Sequence, residues 1–309
     1  MGSRAGYAVV QDRSTRLFYA HYGAPYLHLD LLPGPEPVTR YFRGLREIAY
    51  PLDDGWAEGA AVLDHDRKRL VFYTEHIETY AEHAAVMSVL AGTWPGWQVS
   101  YAYDGMADVA AATGNDPSLV RPVVPVPDIE WVEPAERRDR FIHCLVTTRD
   151  EAGVRAYALQ NHGREVYDLG PELFVRLGPL EPVSECWCIP YTGFHFDLTT
   201  RTAGLWTFDS LDGRLQHLDA RWPDWRWEFW ENRYQEHSSR TNGTVTFPEP
   251  DLRTAYTDLR HRYEEYFNSP EDPEHTRLRA LLDKRAAGPL SKYPSPPQCV
   301  TERRQSATS

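Results

Sequence analysis

Four cysteines in 309 residues, Cys144, Cys186, Cys188 and Cys299, are too few and too unevenly placed for a disulfide framework, so free thiols are expected. No run of 18 apolar residues occurs, which excludes a transmembrane helix of ordinary hydropathy. The start Met1-Gly2-Ser3-Arg4-Ala5-Gly6-Tyr7 lacks the apolar stretch of a signal peptide, and Gly6 stands where a myristoylation signal carries Ser or Thr. A cytoplasmic location is expected. Positive charge is in deficit, 33 Lys and Arg against 45 Asp and Glu, for a net −12. That balance disfavours nucleic acid and anionic membranes as partners, because both attract by summed phosphate charge. Only 3 of the basic residues are lysine, a bias that fits a GC-rich bacterial genome. No Walker A loop, Rossmann glycine fingerprint, G-x-S-x-G elbow or H-E-x-x-H helix is present, so no cofactor and no metal is implied.

What the chain does contain is itself, twice. Trp94-Pro95-Gly96-Trp97 returns as Trp222-Pro223-Asp224-Trp225, and Gly34-Pro35-Glu36 with Arg40 returns as Gly170-Pro171-Glu172 with Arg176. The offsets are 170 − 34 = 136 and 222 − 94 = 128, so a net deletion of eight residues in the second copy reconciles them. The expected organisation is a first α+β repeat (1–114), a proline-rich linker (115–138), a second, trimmed repeat (139–248), C-terminal helices (249–287) and a disordered tail (288–309).

Each copy reads ββα-ββα-β with a short helix after it. Tyr7–Val10 and Leu17–Tyr19 flank a polar turn, as do Gly59–Leu63 and Leu70–Tyr73, which predicts two hairpins. Helices are predicted from Pro35 to Ile48 and from Glu78 to Leu90. Strict alternation over Trp97–Tyr103 and over Trp225–Trp230 predicts a strand whose core face carries Trp97, Val99 and Tyr101, and Trp225, Trp227 and Phe229. Helices ending at Gly114 and Gly243 follow. Asp251–Phe267 and a segment starting at Asp272-Pro273 read as amphipathic helices with no counterpart in the first copy. The fold class is therefore α+β: a tandem duplication with mostly antiparallel sheets, helices on one face and a C-terminal helical extension.

Candidate chemistry is sparse. His21, just past the first hairpin, is placed to act as a general base, with Asn161-His162-Gly163 as its counterpart. Asp54 and Glu58 pair two carboxylates around Trp56, a platform for a sugar or other planar ligand. Their counterpart reads Glu185-Cys186-Trp187-Cys188, where Trp187 persists and the acidic pair does not. Trp230 falls outside the core phase and is expected at the surface, a third ligand-binding aromatic. Cys186-x-Cys188 is a weak metal signal that would need His143 and Cys144 as well, and buried thiols are the simpler reading. His195 and Asp197 alternate onto one side of a strand, opposite apolar counterparts Ala61 and Leu63.

The Met-Gly-Ser-Arg-Ala-x-Tyr start, His21-Tyr22-Gly23-Ala24, Trp56-Ala57-Glu58-Gly59 and Trp94-Pro95-Gly96-Trp97 together resemble a family of bacterial proteins sharing these motifs. The resemblance covers mainly residues 1–114 and implies no activity. Two functions are carried forward. One is a cytoplasmic binding protein with a protein partner. The other is a hydrolase or transferase acting on a small polar substrate between the lobes, with His21, Asp54 and Glu58 as acid/base groups and Trp56, Trp187 and Trp230 as ligand contacts.

Overall fold

A computed structural model describes residues 3–51, 56–117, 131–267 and 273–288. Asp54, most of the predicted linker, Asp272 and the tail beyond Gly288 lie outside the described residues.

In the first copy β1 (Ala5–Gln11) and β2 (Ser14–Ala20) form a hairpin, followed by α1 (Leu27–Asp30), α2 (Pro35–Gly44) and a short β3 (Arg46–Ile48). A second hairpin, β4 (Gly59–Asp64) and β5 (Arg69–Thr74), leads to α3 (Tyr80–Thr93), β6 (Gln98–Tyr101) and α4 (Met106–Ala112). The second copy repeats the series as β7 (Cys144–Asp150), β8 (Gly153–Leu159), α5 (Gly163–Leu169), α6 (Leu173–Leu177), β9 (Thr192–Asp197), β10 (Thr202–Thr207), α7 (Leu218–Arg221), β11 (Arg226–Phe229) and α8 (Tyr234–Arg240). Two helices, α9 (Leu252–Phe267) and α10 (Pro273–Ala287), complete the chain.

The sheets run β3-β2-β1-β4-β5-β6 and β8-β7-β9-β10-β11, the same order once β3 is removed. Within each sheet the hairpins are antiparallel, while β1/β4, β5/β6, β7/β9 and β10/β11 are parallel. A parallel pair needs a crossover, and the helices between the hairpins and before the last strand supply it. The duplication is thus written in topology as well as in sequence. β3 is the exception, because the helix predicted to reach Ile48 stops at Gly44 when Leu45 turns extended. Arg46–Ile48 then pairs with β2 as a charged edge strand, a form that discourages further pairing.

Helices cover both faces of each sheet, not one. Tyr7 packs on Phe42 of α2 and Tyr101 on His83 of α3, whereas α4 lies against β4 and β5 with Met106 and Ala110 beside Gly6, Ala8 and Ala60. In the second copy Val146 belongs to the core beneath α5 and α6, and the next residue, Thr147, hydrogen-bonds His237 of α8 on the other side. β4 is buried at every position and β1 at all but its last, and strands so apolar on alternate residues need cover on both faces.

Helix α3 is apolar around its whole circumference, the mark of a helix buried on all sides. Thr79 caps it by accepting the Glu82 N–H at 3.1 Å. Its outer side is covered by α9, capped in turn by Asp251, and by α10, which buries Leu278 and Leu282. Among the described residues the second copy has only the four-residue α7 in place of α3 and no such cover. The predicted extension therefore serves the longer helix of the first copy.

The copies meet reciprocally. Asp104, three residues past β6, accepts the Leu215 N–H through Oδ1 (2.9 Å) and the Gly213 N–H through its carbonyl (3.1 Å). Asn232, three residues past β11, meets His83 of α3, and Tyr80 packs edge-on against Tyr234. Each copy thus places the segment after its last strand on the segment after the other's second hairpin, the arrangement of a twofold dimer made within one chain.

Candidate functional site

His21 lies exposed at the end of β2, where its Nδ1 is 2.7 Å from the Tyr19 hydroxyl. Glu58 precedes β4 and pairs with His76 at 2.9 Å. With β1 between β2 and β4, two strand spacings, about 10 Å, separate the two backbones. The structure brings neither residue into contact with the other, and Asp54 lies outside the described residues. A surface cleft of ≈ 660 Å³ is lined by Asp12, Arg13, Asp66 and Arg67, and neither His21 nor Glu58 borders it.

The three predicted aromatic contacts are placed differently from one another. Trp56 is 56% exposed, with the Arg4 guanidinium 4.4 Å from its ring centre. Trp187 is half-buried and donates its indole N–H to the Asp139 carbonyl at 3.0 Å. Trp230 is buried rather than at the surface: its ring lies over Gly204, where a β-carbon would approach it to 1.9 Å. Glycine on β10 opens that seat, a tertiary effect that strand phase does not report. Counted from the strands, β4 starts three residues after Trp56 and β9 five after Trp187, so the two tryptophans are not equivalents. The same count sets His195 opposite Val62 and Asp197 opposite Asp64, not Ala61 and Leu63. Both aspartates turn a hairpin, Asp64 accepting the Arg67 N–H and Asp197 those of Thr199 and Thr200.

Besides Trp56, the first copy carries other exposed aromatics. Tyr22 is 68% exposed and packs edge-on with His21, while Tyr26 and Tyr41 are partly exposed. Ser3, next to Arg4, accepts the Ala24 N–H, which ties the backbone beside the Arg4–Trp56 stack to the turn that carries Tyr22 and Tyr26. Tyr26 stacks on Tyr266 of α9, with centroids 4.3 Å apart and planes 9° apart.

A second cluster forms where the copies meet, and sequence motifs gave no sign of it. The His143 and His162 rings stack 4.3 Å apart. His143 Nδ1 donates to the Gln160 carbonyl (2.6 Å). At the start of α5 the Glu165 N–H donates to the His162 carbonyl at 3.0 Å and the Glu165 carboxylate accepts the His162 N–H at 3.1 Å, while burial lowers the pKa of the His162 ring. Beside them Arg164 donates to Asp212 at 2.8 Å. Glu75, from the first copy, is pushed up to about 7, first by desolvation and then by Asp212 and Asp209; its side chain reaches solvent but is crowded by protein and like charge. Burial pushes Asp209 up to about 6. The group comes from both copies, so no single stretch of sequence displays it.

The remaining candidates read as structure. Burial pushes the Cys186 thiol up to about 12, and Cys188 Sγ accepts the Ile142 N–H at 3.2 Å, as suits unreactive thiols. His195 joins a buried relay in which the Trp206 indole donates to His237 Nδ1 (3.0 Å), His237 Nε2 meets Thr147 Oγ1 (2.8 Å), and Thr147 meets His195 Nδ1 (2.8 Å). Among the described residues no three His, Cys, Asp or Glu side chains gather as a metal site, and no helix is long and apolar enough to cross a membrane. No protein-family model, curated protein or solved structure matches the chain.

Proposed function

We propose that the protein is a binding protein that engages a protein partner through the aromatic face of its first copy. The observation that carries this reading is an asymmetry. Among the described residues the exposed large aromatics Tyr22, Tyr26, Tyr41, Tyr50 and Trp56 all belong to the first copy, Trp131 lies in the linker, and the second copy's one large exposed apolar side chain is Val175. Tyrosine, tryptophan and arginine are the residues that dominate protein interfaces, and Arg4 already stacks on Trp56. A Tyr22→Ala/Trp56→Ala variant tests the reading in a pull-down from native lysate at physiological salt. The wild type should retain a stoichiometric partner and the variant at least tenfold less; equal retention, or no partner for the wild type, refutes it.

One observation favours a second reading, chemistry on a small polar substrate at the lobe junction. The stacked histidines lie near Asp212, which with desolvation raises Glu75, and groups whose surroundings push their pKa values apart are what acid/base catalysis uses. In this reading the acid/base groups are His143 and Glu75 in place of His21, Asp54 and Glu58.

A further inference from the structure

The geometry points to a receptor for a basic side chain of the partner, built on the first copy from Asp30 and the tyrosines that enclose it. The inference rests on the first-copy face being the binding surface.

Asp30 ends α1 and is 4% exposed, with the hydroxyls of Tyr266 and Tyr41 close enough to favour its charged form against the larger effect of burial. Its Oδ2 is nevertheless buried without a hydrogen-bond partner. Left so, the carboxyl is held toward its protonated form, burial raising its pKa to about 7. A cation within reach would let it ionise, because an ionised group taken out of water needs a cation or a full set of donors. Among the described residues no Lys, Arg or His pairs with it, and Arg262 of α9 is engaged instead with Glu82 and His28.

The second copy shows how this fold completes such a carboxylate. Asp168 in α5 is equally buried, and Arg214 binds it with two hydrogen bonds, Nε to Oδ1 at 3.0 Å and Nη2 to Oδ2 at 2.7 Å. The position equivalent to Asp30, 136 residues on, is Val166, so the lone carboxylate belongs to the first copy alone.

The enclosure suits a cation. Burial, and after it the nearby Asp30, raises the Tyr7 phenol pKa, and the ring packs edge-on against Tyr41. Tyr41 and Tyr26 reach solvent, and Tyr26 lies flat on Tyr266. Rings carry negative faces that attract ammonium and guanidinium groups, and a carboxylate at the base supplies the counter-charge. A basic side chain entering between Tyr41 and the Tyr26/Tyr266 stack would give Oδ2 its missing donor. A chain of net charge −12 also attracts a basic partner over distance.

The test is calorimetric titration of the full chain with a nine-residue peptide alternating lysine and glycine, and with its lysine-acetylated form. The wild type should bind the lysine peptide saturably and the acetylated one at least tenfold more weakly. Asp30→Asn should lose at least tenfold while melting as a folded protein. Tyr41→Phe and Tyr266→Phe keep the packing and remove a hydroxyl from the carboxylate, and each should weaken binding severalfold. Equal affinity of the wild type and Asp30→Asn, or equal binding of the two peptides, overturns the inference, as does absence of saturable binding. Failure of the face itself shows separately, as retention of the native partner by Tyr22→Ala/Trp56→Ala.

Discussion

A β-carbon on Gly34 would lie 2.7 Å from the carbonyl oxygen of Thr93, and in the second copy one on Gly170 would lie 3.1 Å from that of Arg221. Thr93 and Arg221 immediately precede Trp94 and Trp222. The Gly-Pro-Glu and Trp-Pro-x-Trp motifs, 60 − 8 residues apart in the trimmed copy and 60 in the first when counted from Gly34 to Trp94, are therefore two halves of one contact. Both glycines also have positive φ, +103° and +62°. Replacing either with alanine adds backbone strain of about 1–3 kcal/mol, and Gly34→Ala must displace the nearer carbonyl. Urea unfolding should show losses in both variants, the larger in Gly34→Ala.

The tryptophans clamp the same contact from the other side. Trp94 donates its indole N–H to the Leu31 carbonyl at 2.9 Å, and Trp222 does so to the Tyr167 carbonyl at 3.0 Å. The Leu31 carbonyl also accepts the Gly34 N–H, and the Tyr167 carbonyl the Gly170 N–H. Phenylalanine in either place therefore removes one of two donors, at about 0.5–1.5 kcal/mol. Trp94→Phe and Trp222→Phe should lose similar amounts in chemical denaturation, as equivalent positions must.

The relay through Thr147 fixes two histidines in their neutral forms. Burial lowers His195 to about 4 and His237 to about 3. In the unfolded chain both take a proton near pH 6.5, so between that pH and their folded values the unfolded state binds more protons. Their contribution to stability is thus lost as pH falls below 6.5. NMR of the imidazole carbons should show both rings neutral at pH 5.5, and a His237 midpoint near 6.5 would contradict the burial of this α8 side chain against Thr147 and Trp206.

Asp30 acts in the opposite sense. Burial raises its folded pKa to about 7, so between roughly pH 4 and 7 the native state holds a proton that the unfolded chain has released. Stability through this group is present at low pH and declines as pH rises, at about 1.4 kcal/mol per unit. Asp30→Asn should lack that decline, visible as a difference between the two proteins' urea midpoints measured at pH 5 and pH 7.5.

At the lobe junction Glu75 is raised first by desolvation and then by Asp212, and it is lowered by Arg164, which pairs with Asp212. Asp212→Asn removes a like charge and frees the guanidinium. Both effects should move the Glu75 midpoint down from about 7, though not to an ordinary glutamate value, because desolvation is the larger cause. Carbon-13 detection of the Glu75 carboxyl reads this directly, and an unmoved midpoint would deny the coupling across the two copies.

Much of the architecture was legible in residue order. Apolar alternation marked the hairpins, the repeated motifs marked the copies, and the phase shared by Trp97, Val99 and Tyr101 with Trp225, Trp227 and Phe229 marked the last strand of each sheet. These signals are local, since each depends on neighbours a few residues apart. The helix boundary at Gly44 was less legible, because the turn of Leu45 into an edge strand depends on β2 being beside it.

The duplication itself, the strand periods and the helical extension were determined by the sequence alone, through short-range pattern and self-similarity. Only the tertiary structure decided that helices cover both sheet faces, that Trp230 is buried over Gly204, and that Glu75 joins Arg164 and the stacked histidines. Each of these depends on groups brought together from distant segments, where burial and like charge set the chemistry and sequence spacing carries no trace of it. Asp30 is the sharpest case. In the sequence it is one acidic residue among 45, and only folding removes it from water with an oxygen left unpaired.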